Sequence, residues 1–87
     1  GMCEFLVVFR SRAQALDCAA RLRQGGIRAA AVSTPQETGA GCGLSVRIGA
    51  FDFAQARRVI SGCGYGALFG YFRVERQCGR TFLTRVG

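Results

Sequence analysis

Histidine, tryptophan and lysine are all missing from the 87-residue sequence, and proline occurs once. Without histidine, the chain can form neither a cysteine–histidine nucleophile pair nor a zinc site of two cysteines and two histidines. The 5 cysteines, Cys3, Cys18, Cys42, Cys63 and Cys78, are odd in number and include no C-x-x-C pair. Their spacing therefore reads neither as a disulfide framework nor as a metal ribbon. No metal and no cofactor are expected. Acidic residues are few, 5 against 12 basic ones, and no two carboxylates are spaced for acid–base work, so an accessory protein is expected rather than an enzyme. No apolar run approaches the ~20 residues that span a bilayer, and no charged-then-apolar leader opens the sequence. Gly1 before Met2 reads as a tag remnant. A cytoplasmic setting with reduced thiols, away from membranes, is the expectation.

What is present is globular in character. Apolar residues make up 49% and charged residues 20%, which suits one small domain with its own core. The net charge of +7 is carried by arginine alone. Guanidinium forks match oxyanions better than ammonium groups do. The arginines are spread along the chain without a basic run, so weak anion binding is implied and a nucleic-acid arm is not.

Residues 3–9, CEFLVVF, are apolar on both alternating faces, which predicts a central strand covered on each side. Residues 11–26 follow helical grammar. Ser11 and Gln14 stand at capping-box spacing, Gly25 and Gly26 supply the stop, and Ala15, Leu16, Ala19 and Leu22 form the apolar stripe, with Cys18 near its edge as a packing residue. A weak second strand is read over 27–34, ended by Pro35. Residues 44–48 alternate, with Leu44, Val46 and Ile48 on one face and Ser45 and Arg47 on the other. Residues 52–61 predict a second helix, with Asp52 and Gln55 at capping positions and Phe53, Ala56, Val59, Ile60 and Cys63 on the buried side. A last strand follows over 65–75.

The order β-α-β-β-α-β predicts an α+β ferredoxin-like plait, a four-stranded antiparallel sheet with two helices on one face. The domain is placed at residues 2–75. Residues 76–87 are read as a basic C-terminal tail, with Phe82 and Leu83 as a short strand or docking patch. Apolar residues on the second face of the sheet call for a cover, either a homodimer through that face or a docked partner.

One loop stands out. Residues 35–43, PQETGAGCG, exceed the ~2–5 residues a hairpin needs, and excess of this kind tends to be functional. Cys42 sits between Gly41 and Gly43. Glycines let backbone N–H groups approach an anion or a thiolate, and Thr34, Thr38 and Arg47 are the nearby side chains able to donate to a bound group. The loop lacks the Gly-Lys-Ser/Thr of a phosphate loop. It opens a strand, where a dinucleotide fingerprint would open a helix.

The stretch FLVVFRSRAQALDCAARLRQGGI followed by VSTPQETGAGCGLSV resembles a small-domain family of unknown function described as selenium/sulfur carrier-like. Phe9-Arg10-Ser11 and Cys42-Gly43-Leu44 are the most specific points, and the resemblance extends over roughly residues 4–74. It implies one working thiol, Cys42, which holds sulfur or selenium as a persulfide or selenopersulfide for a sulfur- or selenium-mobilising protein partner. Relatives often carry arginine after the proline and serines before the cysteine. Here Gln36 and Gly39-Ala40-Gly41 occupy those places, which shifts any anion contact onto backbone N–H groups. Two other readings stay open beside the carrier. One is a regulatory dimerisation module that binds a small anion. The other is an RNA-binding module, weakened because the strand 44–48 has no aromatic on which a base could stack.

Overall fold

The structure, a computed structural model, describes residues 2–41 and 43–87, with the backbone alone for Met2. Its centre is β1 (Met2–Phe9). As the double-sided apolar pattern predicts, β1 lies inside the sheet, antiparallel to β3 (Leu44–Gly49) on one side and to β4 (Leu68–Gln77) on the other. β2 (Ala29–Ser33) pairs outside β3, and β5 (Arg80–Val86) pairs outside β4, giving the order β2-β3-β1-β4-β5. Every pairing is antiparallel.

This five-stranded sheet corrects the expected four-stranded ferredoxin-like plait, although the α+β class stands. The correction comes from residues 76–87. Gln77 pairs with Arg80 across a two-residue turn, Cys78-Gly79, whose φ values are 50° and 76°. Positive φ at both central positions is the hairpin geometry that matches strand twist, and it normally announces itself as Asn-Gly or Asp-Gly. Cys-Gly carries no such signal, so a genuine hairpin reads in the sequence as a polar tail. Cys78 is also the one non-glycine residue at positive φ among the described residues. Left-handed backbone costs an ordinary side chain roughly 1–2 kcal/mol, and asparagine tolerates it better. Cys78→Asn is therefore expected to raise the thermal midpoint by about 4–8 °C, the shift that ~1 kcal/mol produces in a domain of this size. An unchanged or lowered melting point in scanning calorimetry would refute this account of the turn.

Both helices pack on one face. α1 (Arg12–Gln24) is capped by Ser11, whose Oγ accepts from the Gln14 backbone N–H at 3.2 Å. The Gln14 side chain does not close a capping box. Its Oε1 accepts from the Ala67 N–H at 2.8 Å, tying the start of α1 to the entry of β4. α2 (Phe53–Ser61) follows a 3₁₀ turn at Ala50–Asp52, and Asp52 makes no side-chain cap. The stripes also differ in detail from the expected ones. In α1, Cys18 is buried with Ala15, Ala19 and Leu22, while Leu16 is exposed; in α2, Ala56 and Ile60 are buried and Val59 is exposed. The buried residues of both helices meet Val7, Phe9, Val46, Ile48 and Tyr71 in the main core.

The second face holds a smaller cluster of Leu6, Val8, Phe72 and Val74, all buried. Its cover includes the chain's own long loop: Ala40 packs against the cluster, and Thr38 is buried nearby. Phe72 is only 6% exposed, so it offers no open surface for base stacking.

Candidate functional site

The loop between β2 and β3 is built around one hydroxyl. Pro35 ends β2, and a 3₁₀ turn at Gln36–Thr38 reverses the chain. Thr38 Oγ1 donates to the Pro35 carbonyl at 2.9 Å and accepts from the Ala40 N–H at 3.3 Å. Gly39 then takes φ 77° and Gly41 φ 85°, conformations that glycine adopts without steric penalty. The loop closes where the Thr34 N–H donates to the Gly43 carbonyl at 3.1 Å. A side chain at Gly43 would bring its Cβ to 3.1 Å from the Phe9 carbonyl, so glycine lets the loop's root sit tight against the end of β1.

The residues proposed from sequence fall into separate surroundings. Cys42 lies outside the described residues. Thr34, Gln36, Gly39 and Gly41 line a shallow depression of about 460 Å³. Thr34 Oγ1 is 2.8 Å from the hydroxyl of the fully buried Ser45, a bond that anchors the loop to β3. Thr38 has its hydroxyl engaged within the turn. The backbone N–H groups of Thr34, Thr38 and Gly39 are spent on loop carbonyls, and that of Ala40 on Thr38, so none of these four is left to cradle an anion. Arg47 lines a different cleft of about 340 Å³, with Glu4, Glu37 and Arg76 on its walls and Leu6, Val32, Val74 and Leu83 among its apolar lining. There Glu4 receives Arg76 at 3.1 Å and Arg47 at 3.9 Å. Among the described residues, no charged side chain lines the depression at Gly39 and Gly41.

The described thiols differ sharply in chemistry. Cys18 is 1% exposed, and burial pushes its thiol up to about 12, with the nearby Cys63 and Asp17 adding to the shift. At neutral pH it stays protonated and enclosed, a packing residue. Cys63 lies in the turn after α2 and donates its S–H to the Val59 carbonyl at 3.3 Å. Cys3 and Cys78 are exposed on β1 and on the β4–β5 turn. Beside Cys18, Asp17 accepts from the Tyr65 hydroxyl at 2.6 Å and from Arg21 at 2.9 Å. The tyrosine hydrogen bond first, and Arg21 second, hold its carboxyl below the usual range. Among the described residues, no group of three or more potential metal ligands comes together, and no helix is long and apolar enough to cross a membrane.

Two arginines that the sequence reading did not place at the site lie over one aromatic ring near the root of this loop. Arg10 follows β1 and Arg85 is the penultimate residue of β5, and both guanidiniums lie over the ring of Phe69. The available signal was Gly70, a glycine inside a strand of large residues, which often marks a close approach.

A family model described as "Putative Se/S carrier protein-like" matches residues 4–67. Comparison with curated proteins and with solved structures gives no match. The matched segment runs from β1 through α2 and contains the long loop with three of the five cysteines, Cys18, Cys42 and Cys63. Since the match takes in most of the chain, the protein belongs to this selenium/sulfur carrier-like family.

Proposed function

We propose that the protein carries sulfur or selenium on Cys42 as a persulfide or selenopersulfide, between a mobilising donor protein and an acceptor. The support is elimination within the family segment. Of its three cysteines, Cys18 is enclosed and held protonated, and Cys63 is engaged with a helix carbonyl. Cys42 is the remaining candidate, and it stands in the loop whose neighbours line a surface depression. The chemistry needs only a thiolate and access. The Cys42 thiolate attacks the outer sulfur of a donor persulfide, a new S–S bond forms, and the donor thiolate leaves. An acceptor thiolate then attacks the outer sulfur of the Cys42 persulfide, and the Cys42 thiolate departs. Both steps are exchanges without net redox change, and neither requires an acid–base pair within the chain.

The test is mass spectrometry of the full chain after incubation with a persulfide donor. A single sulfur adduct is expected on Cys42. It should be lost in Cys42→Ser and retained in Cys18→Ala and Cys63→Ser. Adducts spread over Cys3 and Cys78, with none on Cys42, would overturn the proposal.

A further inference from the structure

We propose that the cleft between the second face of the sheet and the 35–43 loop binds a small amphipathic zwitterion, a free amino acid or short peptide with an apolar side chain. The cleft follows from how the loop runs. It leaves β2 at one edge of the sheet, and its 3₁₀ turn comes up against β5 at the other edge. The loop thus straps the second face, and Pro35 and Glu37 form one wall of a cleft of about 340 Å³. That volume suits a small ligand. Buried Leu6 and Val74 form the apolar floor, and half-buried Val32 and Leu83 stand on the two edge strands.

Charge sets this cleft apart from the rest of the surface. The chain carries +7 and has 5 acidic residues, yet two of them, Glu4 and Glu37, line the cleft together with Arg47 and Arg76. The lining is therefore neutral overall and holds both signs, which suits a ligand that carries both. Its internal pairing is incomplete. Arg76 approaches Glu4 at 3.1 Å, but Arg47 stays at 3.9 Å, beyond hydrogen-bond reach. Glu37 joins no ion pair among the described residues. One guanidinium on the sheet and one carboxylate on the loop are thus left over in the same cleft, and they do not pair with each other. A zwitterion joins them. Its carboxylate takes the fork of Arg47, its ammonium takes Glu37, and its side chain lies on the floor of Leu6 and Val74. This inference does not rest on the carrier reading, although the wall that the ligand touches belongs to the loop that holds Cys42.

The test is an NMR titration of the full chain at neutral pH with L-leucine and with the dipeptide leucyl-leucine. Saturable shifts are expected at the backbone N–H groups of Glu37, Thr38 and Leu83, with α1 unmoved. Tighter binding of the dipeptide assigns the cleft to peptides, and tighter binding of leucine assigns it to free amino acids. Isocaproate, which is leucine without its ammonium, and isoamylamine, which is leucine without its carboxylate, should each bind about fivefold or more weakly than leucine, as expected for one lost ion pair at a partly exposed site. Glu37→Gln should weaken leucine by about the same factor and leave isocaproate unchanged. Arg47→Gln should weaken leucine and isocaproate and leave isoamylamine unchanged. Both substitutions are at exposed positions, and both variants should melt as the parent does. Cys42→Ser should bind leucine as the parent does, so this inference and the carrier proposal can fail separately. Absence of saturable shifts at Glu37, Thr38 and Leu83 would overturn the site. Isocaproate or isoamylamine binding as tightly as leucine would overturn the zwitterion as its ligand.

Discussion

Ending the chain after Gln77 is expected to remove most of the domain's stability, although the deleted segment reads as a polar tail. The loss has three sources. β5 pairs with β4 at seven positions from Tyr71↔Val86 to Gln77↔Arg80. It contributes Leu83 to the second-face cluster and Val86 to the main core. It also lays Arg85 over Phe69 and Phe72. Burying one aliphatic side chain stabilises by about 1.5–3 kcal/mol, so two partly buried ones together contribute on the order of 3 kcal/mol. Newly exposed Phe72 and Val74 add to that loss. Small domains have about 5–15 kcal/mol in total. Urea denaturation of the truncated chain should show a midpoint near zero denaturant, or aggregation through the bared edge of β4. Leu83→Ser in the full chain should show a smaller shift in the same direction. A truncated chain with an unchanged midpoint would mean that β5 is an ornament.

The second large effect is an alkaline loss of stability centred on Cys18. Burial raises its thiol from 9.0 to about 12. Below pH ~9 both folded and unfolded chains keep the proton. Between about 9 and 12 the unfolded chain releases it while the folded one holds it. The unfolded state then binds fewer protons, so stability falls as pH rises, by up to about 1.4 kcal/mol per pH unit. Over the whole window this amounts to at most about 4 kcal/mol. Burial and its hydrogen bond to Asp17 also raise Tyr65, and burial raises Tyr71, so both tyrosines add loss of the same sign. Urea titrations under reducing conditions at about pH 8 and about pH 11 should therefore differ by several kcal/mol, and Cys18→Ala should flatten much of that difference. If Cys18→Ala leaves the pH dependence intact, the thiol is not the group responsible. The same raised proton affinity is what removes Cys18 from carrier chemistry at neutral pH.

Several parts of this protein were legible in the residues. The double-sided apolar run of β1 announced a central strand, Ser11 announced the start of α1, and the excess length of residues 35–43 marked the loop. Three other features misled, each for an identifiable reason. Gln14 stood at capping-box spacing, but its side chain is drawn away by the Ala67 N–H, a partner 53 residues distant in sequence. Leu16 looked like core and Cys18 like an edge residue, yet the facing sheet and α2 set the burial so that Cys18 is inside. Cys78-Gly79 makes a tight hairpin without the usual turn residues.

The candidate site divides in the same way. Cys42 and its glycines are visible in sequence because composition and loop length are local properties. The engagement of Thr38 within its own turn, the pairing of Arg47 and Arg76 with Glu4, and the gathering of Arg10 and Arg85 on Phe69 are not. The family segment, residues 4–67, stops short of β4, the strand that pairs with β1 and carries Phe69 and Gly70.

From residue order alone came the elements whose signals are periodic or capped, the basic charge without histidine or lysine, and the one loop with a cysteine among glycines. The tertiary structure decided the fifth strand, the cover over the second face and the company each arginine keeps. Those outcomes depend on which distant groups compete for the same hydrogen bonds, rings and space. No local pattern encodes that competition, because it exists only once the chain is folded.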